Sequence, residues 1–207
     1  MRIFFLIILT SLTAFQTLPT FTAVQASDSE FMGEIDEGPT EVLPGCSWYC
    51  GGFVSGYNSS SSLSQSNGIS YSPEKAHDFD VTTAWVEGKV NYGVGEYIEY
   101  SFDMAEYKGP HHLGITTIIL ANGYKKSKKL WEENARVKTL KMYVDDRPFA
   151  LLELIDCFEF QTIALEKVML PQQTVMKFRF EIVEVYPGTK YKDTAISELL
   201  FDGVGVH

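Results

Sequence analysis

The chain has 207 residues, 45% of them hydrophobic, and a formal net charge of −10 at neutral pH. That charge argues against a nucleic-acid partner, which calls for a basic face to neutralise phosphates, and it points to solubility before anything else. The length suits one domain of about 150 residues behind a leader, and two independent domains would be crowded.

The chain opens with Met1 and Arg2, an apolar run from Ile3 to Leu12, and a mixed stretch that closes on Ala23-Val24-Gln25-Ala26. This is the pattern of an export leader, residues 1–26, cleaved after Ala26. The apolar run is shorter than the roughly 20 residues a bilayer-spanning helix needs, and no later segment is long enough either. The expected location is secreted or periplasmic. Residues 27–44 are rich in Asp, Glu, Gly and Pro and read as a flexible acidic leader, because so few large apolar groups cannot offset the entropy of ordering.

The foldable part, residues 45–207, begins at CSWYCGG, where Cys46 and Cys50 are expected to form a small disulfide loop in an exported protein. A metal pair or a redox site is the competing reading, although the spacing is one residue longer than CxxC and no second Cys/His pair follows. Cys157 reads as a small buried apolar residue. The Ser-rich stretch Asn58 to Asn67 reads as an exposed loop.

From there the dominant period is two. Ile98, Tyr100 and Phe102 share one face of a strand over Glu96 to Phe102, and Met176, Phe178, Phe180 and Ile182 do the same over Met176 to Ile182. Gly114 to Ala121 is a continuous apolar run suited to a central strand, and Arg136 to Val144, Gln161 to Leu165 and Ile196 to Phe201 complete the set. A short helix is expected within KSKKLWEENARVK. Many short strands parted by Gly, Pro, Asn and Asp turns predict an all-β fold, an antiparallel sandwich or barrel.

Motifs of the common catalytic classes, HExxH, GxSxG, the P-loop and GxGxxG, are missing from the sequence. The His111-His112 pair follows Gly-Pro and reads as a turn, with a metal site as the alternative. Three segments stand apart from ordinary strand and turn sequence. In Tyr71 to Gly88, Asp78, Asp80 and Thr83 crowd oxygen ligands of the kind Ca²⁺ takes; equally, the two aspartates could shape the turn by accepting backbone amides. Trp85 is core in either case. In Ala121 to Lys138, Tyr124, Trp131, Asn122, Asn134, Arg136 and several lysines offer ring faces and hydrogen bonds to a sugar, or form a solvated loop with Trp131 folded back on the sandwich. In Glu184 to Phe201, Tyr186, Tyr191 and Asp193 follow a rigid Pro-Gly turn.

Together AHDFDVTTAWVEG, GVGEYIEYSF, NGYKKS with NARVK, and VYPGTKYKDTAISELLF resemble the discoidin-like (F5/8 type C, galactose-binding-type) jelly rolls, and are similar to the glycan-binding translocation domain of streptococcal NAD glycohydrolase. The resemblance covers Tyr71 to Phe201. It implies a β-sandwich that binds carbohydrate through loops at one end, without the NAD-cleaving domain. It further implies a recognition loop holding Asn122, Tyr124, Lys126, Trp131, Asn134 and Arg136, and a second holding Tyr186, Lys190, Tyr191 and Asp193, with Arg136 alternatively bracing the first. It also implies a structural Ca²⁺ on Asp78, Asp80, Thr83 and Glu198, although Asp78-Phe79-Asp80 stands where the family has Asp-Gly. The expected function is a non-enzymatic module binding a glycan or glycoconjugate. A protein-interaction or adhesion module of the same fold, and an enzyme of unknown type, are the alternatives.

Overall fold

A computed structural model describes residues 17–26, 54–105, 113–170 and 174–204. Eleven strands form it: β1 (Thr20–Thr22), β2 (Val24–Gln25), β3 (Val54–Ser59), β4 (Trp85–Val86), β5 (Tyr97–Asp103), β6 (Gly114–Asn122), β7 (Ala135–Val144), β8 (Arg147–Glu153), β9 (Gln161–Met169), β10 (Val175–Tyr186) and β11 (Thr194–Val204). Among the described residues a helix, α1 (Lys128–Glu133), and a 3₁₀ turn (Pro73–Ala76) accompany them.

The strands make a β-sandwich. One layer runs β2-β9-β6-β11, with β4 on the start of β11; the other runs β1-β8-β7-β10-β5-β3. The layers join where Thr194–Ala195 lies parallel to Ala135–Arg136 for two residues. That pairing and β1 with β8 are parallel, and the other ladders are antiparallel.

The period-two strands behave as their sequences demand. Ile98, Tyr100 and Phe102 of β5 and Phe178, Phe180 and Ile182 of β10 are fully buried, and the two strands pair Phe178 with Tyr100 and Phe180 with Ile98. Inward residues of both layers form one core that includes Ile118, Leu120, Val137, Leu140, Leu199 and Phe201. The unbroken apolar run of β6 has its reason in a second small core on the outer face of its layer. There Ile119 and Ala121 pack with Ala26, Phe160 and Leu200 beneath Phe79 and Val81. A strand covered on both faces has no solvent side on which to place polar residues.

Trp85 is fully buried, with its indole N–H donated to the Ser61 carbonyl at 3.0 Å. The expected helix is α1, opened by Ser127, whose hydroxyl accepts the Leu130 N–H at 3.2 Å.

Residues 20–25, which the leader reading places before the cut, form two short strands of the sandwich. Thr20–Thr22 pairs with Leu151–Glu153, Val24–Gln25 pairs with Gln161–Thr162, and Ala23 and Ala26 are buried. Residues 27–44, the cysteines Cys46 and Cys50, and the His111-His112 pair lie outside the described residues.

A tyrosine-lined cleft and a buried carboxylate

Backbone bonds gather several loops at one end of the sandwich. Thr189 N–H donates to the Glu132 carbonyl, Lys190 and Tyr191 N–H to that of Glu133, and Ala135 N–H to that of Asp193, which fastens the loop after β10 to α1. Gly188 sits so close to Glu133 and Asn134 that a Cβ would come within 2.5 Å of their backbone, so the Pro-Gly turn serves close packing. Leu63 N–H donates to Val86 C=O and Val86 N–H to Tyr71 C=O, drawing the Ser-rich segment to the same place. Glu87, fully buried, pins the next loop: its carboxylate accepts Lys89 N–H at 2.7 Å and Thr194 N–H at 3.2 Å. Burial pushes its pKa up.

Between these loops lies a cleft of about 280 Å³ lined by Leu63, Ser66, Tyr71, Val86, Tyr124, Leu130, Asn134, Tyr191 and Asp193. The rings of Tyr71 and Tyr124 meet edge to face at 6.3 Å. Tyr191 is 38% exposed at the rim. Ser66, Asn134 and Asp193 put polar groups on an otherwise apolar wall, and Asp193 is the one charged lining residue. The arrangement offers ring faces for an apolar surface beside acceptors and donors for hydroxyls.

Of the residues expected to bind, the structure brings Tyr124, Asn134, Tyr191 and Asp193 together in this cleft. Three others belong to the interior. Asn122 is 1% exposed; its amide donates to Val137 C=O at 2.7 Å and its Oδ1 accepts Val137 N–H at 3.0 Å. Trp131 is 7% exposed and donates its indole N–H to the Asn122 carbonyl at 2.8 Å. Arg136 stacks on Trp131 at 4.3 Å, holds Asp156 in a two-pronged ion pair at 2.6 and 3.0 Å, and donates to the carbonyls of Trp131 and Asn134. It braces the loop from the strand start.

The glycine of Asn122-Gly123 makes this packing possible: its φ is +86° and a Cβ would strike Trp131 and Arg136. Lys126 is exposed on the loop. Lys190 faces Glu133 and the ring of Tyr191, and Tyr186 donates to Leu154 C=O in a separate groove beside Lys138 and Glu184. The sequence reading missed Leu63, Ser66, Tyr71 and Val86, which approach from segments distant in sequence, and Leu130, which lies on α1 between Tyr124 and Asn134.

The brace carries a prediction. Asn122→Ala leaves the Val137 N–H and C=O unpaired in the interior, so urea unfolding should show a loss of about 1–3 kcal/mol.

At the second site, Glu198 of β11 is fully buried, and neither carboxylate oxygen closes a hydrogen bond of full geometry. Burial first, then the charges of Asp78 and Asp80, push its pKa up to about 9, while the backbone N–H groups of Asp80 and Phe79 draw it partly back. Both loop aspartates have local partners. Asp78 accepts the Thr83 hydroxyl at 3.0 and 2.9 Å and pairs with Lys75 at 2.9 Å. Asp80 accepts the N–H and hydroxyl of Thr82 at 2.9 and 2.6 Å. Asp78 Oδ1 also accepts the Asp80 N–H at 3.2 Å, so each aspartate holds a backbone amide two residues on. Among the described residues, no three His, Cys, Asp or Glu side chains converge as a metal site. A fully buried carboxylate beside Asp78 and the loop's oxygens nevertheless has the donor chemistry of a hard cation.

The sequence model of the NAD glycohydrolase translocation F5/8 type C domain family matches residues 48–202. Among solved structures, the chain is similar to the CBM32-1 and CBM32-2 domains of Clostridium perfringens ZmpB in complex with GalNAc, with TM-score 0.55 at 14% identity over 91% of this chain and 41% of that one. It is also similar to the ZmpB structure that adds the M60 catalytic domain, with TM-score 0.56 at 13% identity over 92% and 17%. The mycobacterial arabinofuranosyltransferase AftD gives TM-score 0.50 at 17% identity over 73% and 11%. The chain therefore spans well under half of each of these solved chains, and the likeness shows the fold. Comparison with curated proteins finds no match.

Proposed function

Because the chain belongs to the NAD glycohydrolase translocation F5/8 type C domain family, whose members are binding or translocation modules, we propose that it is an exported, non-catalytic module that binds a glycan in the tyrosine-lined cleft. The observation that carries this reading is the lining itself: the rings of Tyr71, Tyr124 and Tyr191 beside Ser66, Asn134 and Asp193. A sugar ring has one apolar face and a rim of hydroxyls, and aromatic surface next to convergent hydrogen-bonding groups answers both. The loops are fastened to one another before any ligand arrives, which lowers the entropy cost of binding. Among the described residues no helix is long and apolar enough to cross a membrane.

The interior residues position the cleft without touching the ligand. Arg136, Trp131 and Asn122 fix the path from β6 through α1 to β7, and that path carries Tyr124 and Asn134. A structural Ca²⁺ would be held by Glu198 and Asp78, with the Thr83 hydroxyl and loop carbonyls completing its oxygen set and Asp80 shaping the turn. Its chemistry would be to neutralise the buried carboxylate and tie the loop to β11.

A glycan array probed with the purified protein tests the reading, with GalNAc as the first sugar because a ZmpB structure contains it. The parent should bind, and Tyr191→Ala, at an exposed ring, should lose at least about tenfold in affinity while melting as the parent does. Trp131→Ala should lower the melting temperature, as the loss of a buried ring requires. No binding across the array would contradict the glycan reading. It would favour a protein-interaction module instead, a role for which Val90 and Val94, 88% and 62% exposed on the neighbouring loop, offer apolar contacts.

A further inference from the structure

The ten residues from Thr17 to Ala26 cross the open side of the sandwich. β1 adds to the edge strand β8 of one layer, and β2 adds to the edge strand β9 of the other. Three backbone bonds mark the path: Leu151 N–H to Pro19 C=O at 2.9 Å, Ala23 N–H to Glu153 C=O at 2.8 Å, and Ala26 N–H to Phe160 C=O at 2.9 Å. Phe21 packs against the main core, Ala23 is part of it, and Ala26 belongs to the second core with Ile119 and Phe160.

Two physical consequences follow. The segment covers the edges of both layers, which would otherwise present unpaired N–H and C=O groups side by side, and bare edges invite pairing with other chains. It also ties the layers together across their open side. At the crossing stands Ala23, 3% exposed, where a larger side chain has no room without displacing core residues.

A cut after Ala26, where the sequence has its small-residue signal, would discard the whole segment. We propose that residues 18–26 are retained in the exported protein as a strap closing the sandwich, and that the processing site lies amino-terminal to Leu18. The apolar run ends at Leu12 and a small residue, Ala14, follows it closely, in Leu12-Thr13-Ala14 rather than an Ala-x-Ala triplet, and this is the position an earlier cut would use. The inference is independent of the sugar reading and rests on the export reading only for the leader's removal.

Intact mass and amino-terminal sequencing of the full chain, after expression through an export pathway, test it directly. An amino terminus at or before Leu18 supports the strap, and one at Ser27, or anywhere within 19–26, overturns it. The variant Ala23→Glu, expressed and exported in the same way, gives an independent reading. If the strap is retained, a charge forced into the core lowers the melting temperature of the exported protein by roughly 5 °C or more. A melt identical to the parent's, in protein carrying the substitution by mass, would mean that the segment contributes nothing and would overturn the proposal. A cell-retained chain still beginning at Met1 has no cut before Leu18 and would also overturn the proposal, unlike a new amino terminus between Met1 and Leu18.

Discussion

Replacing Glu198 with Gln should abolish most of the loss of stability that the parent shows as pH rises from about 6.5 to about 9. The folded protein holds this carboxyl at a pKa of about 9 against an ordinary value of 4.5, so between these limits the folded state binds more protons than the unfolded state. Its contribution is complete below the unfolded value and is lost as pH rises toward the folded one, with a slope approaching about 1.4 kcal/mol per pH unit. His77 acts in the opposite sense. It is 5% exposed, its Nδ1 lies 2.7 Å from the Leu199 carbonyl, and burial lowers its pKa to about 4.

Stability tied to His77 is present above its unfolded value of 6.5 and is lost as pH falls toward 4. Between about 4.5 and 6.5 the two slopes oppose each other and the parent should be nearly flat; above 6.5 Glu198 acts without that opposition. Glu198→Gln should then rise to about pH 6.5 and level off, with the rise blunted by Glu87, whose pKa is raised above its ordinary value by burial. Urea unfolding from pH 5 to 9 reads these slopes. Calcium separates the metal proposal from the titration. If Ca²⁺ binds the ionised carboxylate, it should raise the parent's melting temperature more at pH 8 than at pH 6, a chelator should reverse the gain, and Glu198→Gln should not respond. A parent indifferent to Ca²⁺ at both pH values contradicts the metal and leaves the pH profile standing.

Phe201→Ala should cost about 3–5 kcal/mol, among the largest losses expected from truncating one core side chain. The ring is fully buried and meets Tyr100 and Phe102 at centroid distances of 5.2 and 5.1 Å, Phe180 and Phe178 at 6.1 and 6.2 Å, and His77 at 5.8 Å. It stands on β11, while Tyr100, Phe102, Phe178 and Phe180 stand on β5 and β10 of the other layer, so this one side chain locks the layers together. The cavity would adjoin His77 and the loop above Glu198, and the Ca²⁺ response should weaken along with stability. Met169→Ala, at a side chain 43% exposed, should cost within about 0.5 kcal/mol. A Phe201→Ala loss below about 1 kcal/mol would mean that the aromatic cluster is not the keystone its geometry describes.

The strands that could be read from the sequence are those whose environment imposes a simple pattern. β5 and β10 alternate because one face is buried, and β6 is uniformly apolar because both faces are. β8 escaped notice because its apolar residues Phe149 to Leu152 run together behind Pro148, without alternation or enough length to signal a central strand. β3 was submerged in the Ser-rich stretch, although only its last two residues, Asn58 and Ser59, belong to it. β1 and β2, Thr-Phe-Thr and Val-Gln, are too short to show a period and fit an export leader as well as an edge strand, so their pairing has no signal in the sequence.

In the site, residue type indicated which loops matter but not which way each side chain turns. Trp131 and Arg136 have the composition of a sugar-binding pair, yet they face each other, held by Asn122 and Asp156 across the loop. Tyr71 and Leu63 reach the cleft through backbone bonds to Val86, a tertiary arrangement without any local signal.

The central claim, a sugar site between the tyrosines, is tested most directly by following tyrosine ring resonances by NMR while GalNAc, or the best sugar from the array, is titrated into the protein. The account predicts saturable shifts at Tyr71, Tyr124 and Tyr191, with Tyr186 and Tyr143 unmoved. Shifts confined to Tyr186, or none at any ring at saturating sugar, would contradict it.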